Sequence, residues 1–546
     1  MPSRAEPARP QTPDTTAGGT HGGAPDGTGI AAPGGAGTTR RAGRQLPSWL
    51  VAGIPAVAAL VVGGYRLGGA SLWRDEAYTL DVARRSTGQI FNLLLHVDAV
   101  HGPYYLGMHV VVRLFGTSET ALRLPSLVAT SLAAGILALL GRRLARASGL
   151  PAPAATGLLA GLLQVAAPQT TYYAQDARPY GLVTLFAVAA TYLLIVAVER
   201  GGARWWAAYA AAVALTGVAS LFALLILAAH GVTLLLTRAR GQASPAPRAP
   251  RLLPWLAAAV AALVVASPLI VLGYGQDKTL SWVGHPGLGK LDLLVTLFAG
   301  SHVLIPVVLA LALCGAAAGM GAARLRQVTV VTVALPWLLL PPFILLAVSV
   351  VKPVYVERYV VFCQPALALL CAAGVAWLGG LVAASAAGRR TPALAWAAPA
   401  VILVALAALV IGPQRSVRLT SARPDNLRGV SAVIAANQHP GDAVFYLPSE
   451  ARVVSMGYPA PFRKLRDLAL KASPVASNSL TGTQVWAPVL ASRFTGVHRV
   501  WLVQWAGQLS ARPGTKVGRA ELALVHGMHP VRRWTVQSVV LTLYAT

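Results

Sequence analysis

Ser71-Leu72-Trp73-Arg74-Asp75-Glu76-Ala77-Tyr78-Thr79-Leu80 lies just beyond the first long apolar run of the chain, roughly Leu46 to Val62. Two adjacent carboxylates sit there, flanked by an Arg and by an aromatic on either side. Consecutive helical residues point about 100° apart. If the stretch is helical, Asp75 and Glu76 serve different partners: one can face a reacting hydroxyl, the other a backbone group, a cation or a metal. An acidic pair at a membrane surface is costly to desolvate and needs a reason. The plain alternative is a solvated loop cap.

The membrane follows from composition. The chain has 546 residues, 55% hydrophobic and 12% charged, with a mean hydropathy of +0.60. A soluble protein of that length carries about twice the charge. Apolar runs recur near the roughly 20-residue bilayer length, and we read eleven spans at about 47–66, 122–141, 153–169, 180–198, 205–219, 221–237, 253–273, 293–318, 328–350, 360–384 and 393–412. The fold class is a polytopic α-helical membrane protein. Net charge is +27, which in a soluble chain would suggest nucleic acid. Here the Arg residues cluster in alternate short connections, as expected of cytoplasmic loops: Arg142, Arg143 and Arg146; Arg200 and Arg204; Arg238, Arg240, Arg248 and Arg251; Arg324 and Arg326; Arg389 and Arg390. No nucleic-acid partner is expected. Cys314, Cys363 and Cys371 lie in or beside apolar spans and imply neither a disulfide framework nor a zinc site.

Residues 1–45 are rich in Gly, Pro, Ala and Thr without apolar periodicity, and read as a disordered tail. Arg40, Arg41 and Arg44 before the first span place the N-terminus in the cytoplasm. Residues 46–413 then form the membrane domain, whose first outer loop, 67–121, carries amphipathic pieces suited to interfacial helices. Of its acidic residues only Glu199 falls on the cytoplasmic side; Asp75, Glu76, Asp81, Asp98, Glu119, Asp176, Asp277, Asp292 and Glu357 fall on the outer side. Residues 414–546 read as a small extracytoplasmic α/β domain. Strands are expected over 442–447, 497–503 and 535–543, and helices over 426–437 and 463–471.

Carboxylates, cations and tyrosines therefore gather on one face, in the opening stretch, in His101-Gly-Pro-Tyr-Tyr105, in Thr171-Tyr-Tyr-Ala-Gln-Asp-Ala-Arg-Pro-Tyr180 and in Lys352-Pro-Val-Tyr-Val-Glu-Arg-Tyr359. That inventory suits group transfer from a lipid phosphate. The phosphate departs as an anion, so the protein need supply only a base for the incoming hydroxyl and cations for the leaving group. Asp75 is the natural base, and Arg178, Arg358 and Lys352 are candidate phosphate clamps. Tyr105, Tyr173 and Tyr359 can stack on a sugar or mark the interfacial belt. Blander readings stand beside these. Arg178 before Pro179 could open a helix and snorkel to headgroups, and Glu357 could neutralise Arg358 locally. His96, Asp98 and His101 with Glu76 could hold a divalent metal, although their spacing supports no geometry.

The ordered set Trp73-Arg-Asp-Glu-Ala-Tyr-Thr79, His101-Gly-Pro-Tyr-Tyr105, Ala121-Leu-Arg-Leu-Pro-Ser126 and Tyr173-Ala-Gln-Asp-Ala-Arg-Pro-Tyr180 resembles the GT-C glycosyltransferases. Within them it is most similar to bacterial relatives of the protein O-mannosyltransferases and of the lipid A aminoarabinose transferases, over roughly 47–412. The resemblance implies a polyprenyl-phosphate-linked sugar donor, a hydroxyl acceptor on protein, glycan or lipid, and inverting transfer at the outer face of the plasma membrane. It puts the base at Asp75 with Glu76 as its acidic neighbour, and it matches Arg178 and the Arg358-Tyr359 pair. Donor and substrate contacts then fall to His101, Tyr105, Tyr173, Gln175, Asp176, Arg178, Lys352, Arg358 and Tyr359. Some relatives carry a Lys where this chain has His101-Gly102, and imidazole is a weaker phosphate ligand near neutral pH. This reading fixes no cofactor and leaves a divalent metal open. The rival classes are a multi-pass transporter or flippase with an outer carboxylate gate, and an inactive scaffold whose outer domain binds a partner.

Overall fold

The computed structural model describes residues 46–238, 252–276, 283–320, 327–391, 394–506, 525 and 527–546. The tail over 1–45, Asp277 and the connections carrying Arg240, Arg248, Arg251, Arg324 and Arg326 lie outside them. The rest is a helical membrane domain followed by a strand-containing C-terminal domain. Helices α1 (Ser48–Gly64), α2 (Arg74–Arg84), α3 (Thr87–Leu94), α4 (Gly102–Phe115), α5 (Glu119–Ala147), α6 (Pro153–Ala166), α7 (Pro168–Ala174) and α8 (Tyr180–Arg200) come first. Six described helices are long and apolar enough to cross a membrane: Glu119–Ala147, Tyr180–Arg200, Leu252–Gly275, His302–Gly319, Val330–Val351 and Glu357–Ala384. Shorter apolar helices stand at Ser48–Gly64, Pro153–Ala166, Leu221–Thr237 and Ala400–Ser416.

Small residues let these helices approach closely, as van der Waals packing in lipid requires. A Cβ on Gly135 would meet the Ala52 carbonyl of α1 at 2.9 Å, and one on Gly161 would meet the Pro55 ring at 2.7 Å. The run read as one span over 293–318 is broken instead. Gly300 ends the helix Leu288–Ala299 with φ +90°, and a new helix starts at Ile305. The loop over 67–121 forms α2, α3 and α4, and the acidic stretch opens α2. Its carboxylates lie in the first turn, where the helix dipole favours negative charge.

In the C-terminal domain the strands are β1 (Ala443–Tyr446), β2 (Arg466–Asp467), β3 (Leu470–Ala472), β4 (Thr483–Gln484), β5 (Arg499–Trp505), β6 (His529–Val536) and β7 (Val539–Ala545). Five of them form a sheet in the order β2-β1-β5-β7-β6. β1 runs parallel to β2 and β5, whereas β7 is antiparallel to β5 and β6. Two expectations fail here. The strand read over 535–543 is a hairpin: Gln537, at φ 56°, turns the chain so that Val536 pairs with Val539. The helix read over 463–471 is one 3-10 turn, Phe462–Lys464, followed by β2 and β3. Asp467 Oδ1 accepts the backbone N–H groups of Ala469 and Leu470 at 3.1 Å each, offering the chain a turn in place of a helix.

One sheet face packs on Leu427, Val430 and Ile434 of the helix Leu427–Asn437 through Val444, Tyr446, Trp501, Val503, Leu541 and Leu543. Ala77 of α2 is buried in that same apolar cluster, and Tyr78 packs against it. The helix bearing the acidic pair thus belongs as much to the C-terminal core as to the membrane domain. Arg74 strengthens the join. Its Nε and Nη2 donate to Asp425 at 2.9 and 2.7 Å, its backbone N–H donates to Asp425 Oδ2 at 2.9 Å, and its guanidinium lies 4.0 Å over the Trp505 ring.

Candidate functional site

The two carboxylates of the opening stretch have separate environments, as their angular offset requires. Glu76 is fully buried and committed. Arg123 of α5 donates to both of its oxygens at 2.8 Å, Ala177 N–H donates at 2.9 Å and Trp73 N–H at 3.4 Å. Burial alone would raise the Glu76 carboxyl, but the Arg123 charge and its hydrogen bonds hold it below the usual carboxylate range. Arg123 also donates to the carbonyls of Leu67, Ala70 and Ser71, so one ion pair closes the backbone of the loop leading into α2.

Asp75 faces the other way, with its side chain 18% exposed. Its Oδ2 lies 4.0 Å from Arg178 Nε and 3.8 Å from Arg358 Nη2. Charge-assisted contacts close at about 2.7–2.9 Å, so the three groups share one field without being locked together. Arg358, side chain 26% exposed, also lies 5.9 Å from the Trp73 ring and 5.8 Å from that of Tyr359.

Arg178 is delivered by a loop pinned on several sides. Ser126 of α5 donates to the carbonyls of Asp176 and Arg178 at 2.7 and 3.1 Å, and Gln175 Nε2 donates to the carbonyls of Gly63 and Tyr65. Arg423, from the start of the C-terminal domain, donates to the carbonyls of Gln175 and Tyr172 and lies 4.0 Å over the Tyr172 ring. Arg178 itself is 6% exposed and faces the site, so it does not snorkel. Its Nη2 donates to His101 Nε2 at 2.9 Å. A guanidinium has no acceptor to offer, so Nε2 presents a lone pair and Nδ1 carries the proton donated to Asp98 Oδ1 at 2.6 Å. Tyr105 donates to Asp98 Oδ2 at 2.5 Å. Burial would raise Asp98, but His101, Arg178 and Tyr105 together hold it below its ordinary range. Burial would likewise lower Arg178, but the Asp75 carboxylate and the tyrosines around it keep it protonated.

The remaining candidates divide. Tyr359 stacks on Phe222 at 4.9 Å beside Arg358, and Tyr173 packs edge-on between Tyr172 and Tyr180 at 5.1 Å each. Gln175 is spent on backbone carbonyls. Lys352 is exposed at the end of the helix Val330–Val351, 5.6 Å over the Tyr274 ring. The four residues weighed for a metal do not assemble: Glu76 belongs to Arg123, and His96 Nδ1 sits 2.7 Å from the Asn92 carbonyl. Among the described residues no three His, Cys, Asp or Glu side chains come together to hold an ion. Arg123, Arg423 and Asp425 were not singled out in the sequence. Arg123 left a trace, since a lone cation in the apolar run Ala121-Leu-Arg-Leu-Pro125 demands a buried partner.

Asp176 is the strained member. Its Oδ1 accepts from Trp73 Nε1 at 2.9 Å, while Oδ2 is buried with no hydrogen-bond partner among the described residues. Burial and the nearby Glu76 charge push its carboxyl up to about 6. An acid raised from 3.8 to about 6 on folding destabilises the fold as pH climbs through that window, because the folded state resists ionisation. Asp176→Asn keeps an acceptor for Trp73 and removes the charge. In thermal melts of detergent-purified protein it is expected to stabilise above about pH 6, the gain closing as pH falls toward 4. A gain independent of pH would refute this.

Comparison with known proteins places this geometry in context. Residues 103–272 match the family model described as dolichyl-phosphate-mannose-protein mannosyltransferase. The fold is that of the GT-C transferases. It is similar to the crystal structure of ArnT from Cupriavidus metallidurans in the apo state, with TM-score 0.55 and 15% identity over 91% of this chain and 98% of that one. The same protein bound to undecaprenyl phosphate aligns with TM-score 0.52 and 16% identity, again over 91% and 98%. No curated protein matches the sequence.

Proposed function

We propose that the protein is a glycosyltransferase that moves a sugar, of mannose or pentose type, from a polyprenyl-phosphate carrier to a hydroxyl acceptor on the outer face of the plasma membrane. The carrying observation is Asp75, a partly open carboxylate set 4.0 and 3.8 Å from two arginines. Such a trio separates when an anion enters. Arg178 and Arg358 turn to the donor phosphate, and Asp75 is left to the acceptor hydroxyl. The acceptor oxygen attacks the anomeric carbon, the bond from that carbon to the phosphate oxygen breaks, and the proton passes to Asp75. The electron pair leaves with the lipid phosphate, which the arginines stabilise. A single displacement inverts the anomeric centre. The binding of undecaprenyl phosphate by ArnT supports a carrier of this class. The N-terminus then lies in the cytoplasm and the C-terminal domain outside, facing the acceptor.

Purified protein incubated with a polyprenyl-phospho-sugar labelled in the sugar, plus cell-envelope acceptors, is expected to release free polyprenyl phosphate as label appears on an acceptor. A transporter or scaffold would release none, and that outcome would overturn the proposal. Mass spectrometry of co-purified lipid would name the sugar.

A further inference from the structure

At the far end of α5 from Arg123 lies an open cavity of about 280 Å³ lined by Leu139, Arg142, Arg143, Arg146, Tyr192 and Glu199. Three arginines and one carboxylate line it. Arg142 donates to Ser48 Oγ at 2.6 Å and to the Leu46 carbonyl at 3.4 Å, tying the cavity wall to the start of α1. Arg143 pairs with Glu199 at 2.8 Å and lies 5.3 Å over the Tyr192 ring. Arg146, exposed at the rim, has no ion-pair partner among the described residues. The guanidinium groups therefore keep donors that these contacts leave unspent.

The depth of the cavity identifies its ligand. At about 1.5 Å rise per residue, the run of α5 from Arg123 to Arg142 spans about 28 Å, close to the roughly 30 Å hydrocarbon thickness of a bilayer. Arg123 stands at the Asp75 site, so the cavity stands at headgroup level in the opposite leaflet. The wall next to it is apolar and bare: Trp49 is 71% exposed and Leu46 is 40% exposed, beside the Ser48 and Leu46 groups that Arg142 binds. A soluble anion has no use for such a wall, whereas a phospholipid lays its acyl chains along it. We propose that Arg142, Arg143 and Arg146 form a binding site for the phosphate headgroup of an anionic phospholipid, distinct from the Asp75 site and independent of what that site does. Arginine matches phosphate through paired N–H donors, and basic pockets at the ends of transmembrane helices bind lipid headgroups in this way.

The test uses delipidated full-length protein in detergent, titrated with phosphatidylglycerol or with phosphatidylcholine of identical chains and read by native mass spectrometry. Wild type is expected to retain phosphatidylglycerol roughly tenfold better or more, since each basic residue near the surface adds to the preference. Arg142→Gln, Arg143→Gln and Arg146→Gln combined should bring the two lipids to near parity. Glu199→Gln, which frees Arg143 from its competing carboxylate, should raise the preference, and Arg389→Gln with Arg390→Gln should leave it intact. Equal retention by wild type, a preference that survives the triple change, or an equal loss in the Arg389 and Arg390 variant would overturn the proposal. Displacement of the lipid by free glycerol phosphate at matched concentration would make it a soluble-anion site and overturn it also.

Discussion

Asp75→Asn is expected to lower sugar transfer by roughly 10²- to 10⁴-fold, the contribution typical of a positioned general base, while membrane insertion and the melting temperature stay at wild-type values. The amide is nearly isosteric with the carboxylate but cannot take a proton from the acceptor. The fold should not suffer, because Asp75 is partly open and its contacts with Arg178 and Arg358 are 4.0 and 3.8 Å long. Donor retention should hold or tighten, since both arginines lose their competing anion. If Asp75 served only as a counter-charge to the two arginines, transfer would persist in this variant. Wild-type turnover by this variant would remove Asp75 from the chemistry.

How far the sequence reached can be seen residue by residue. The helical membrane domain was legible because hydropathy over some 20 residues is a sum that no single contact can reverse. The opening stretch was legible because adjacent carboxylates beside an apolar run need partners, and α2 splits them between Arg123 and the pair Arg178 and Arg358. Which carboxylate took which partner was not, since Arg123 lies 47 residues from Glu76. Lys352 looked equivalent to Arg178 by charge alone, yet the end of its helix leaves it over Tyr274. His101 looked like a weak phosphate ligand, whereas its lone pair is given to Arg178. In the C-terminal domain, β-branched content marked strands but not the turn at Gln537, a residue type with no turn signal. The burial of Ala77 in the C-terminal core had no signature at all, being an ordinary alanine on an amphipathic helix.

Position 76 should behave quite unlike position 75. Glu76→Ala leaves the Arg123 guanidinium buried without its counter-charge, a change that typically costs about 3–5 kcal/mol. It also strips an acceptor from the Ala177 and Trp73 N–H groups. The expected result is a fall in melting temperature and a rise in protease sensitivity of the 67–121 segment, with activity lost in proportion to folded protein. Arg123→Ala should cost as much or more, since it frees the carbonyls of Leu67, Ala70 and Ser71 as well as Glu76. The combined variant should then cost clearly less than the two single changes added together, because neither orphaned charge remains. Strict additivity would show the pair to be uncoupled. Transfer lost at full stability in Glu76→Ala would instead move Glu76 from positioning α2 to the reaction itself. The pair thus decides how the site is built: if it acts as described, one buried salt bridge fixes the loop, the helix start and the Ala177 backbone at once. Asp75 then needs no hydrogen bond of its own to be held where the two arginines converge.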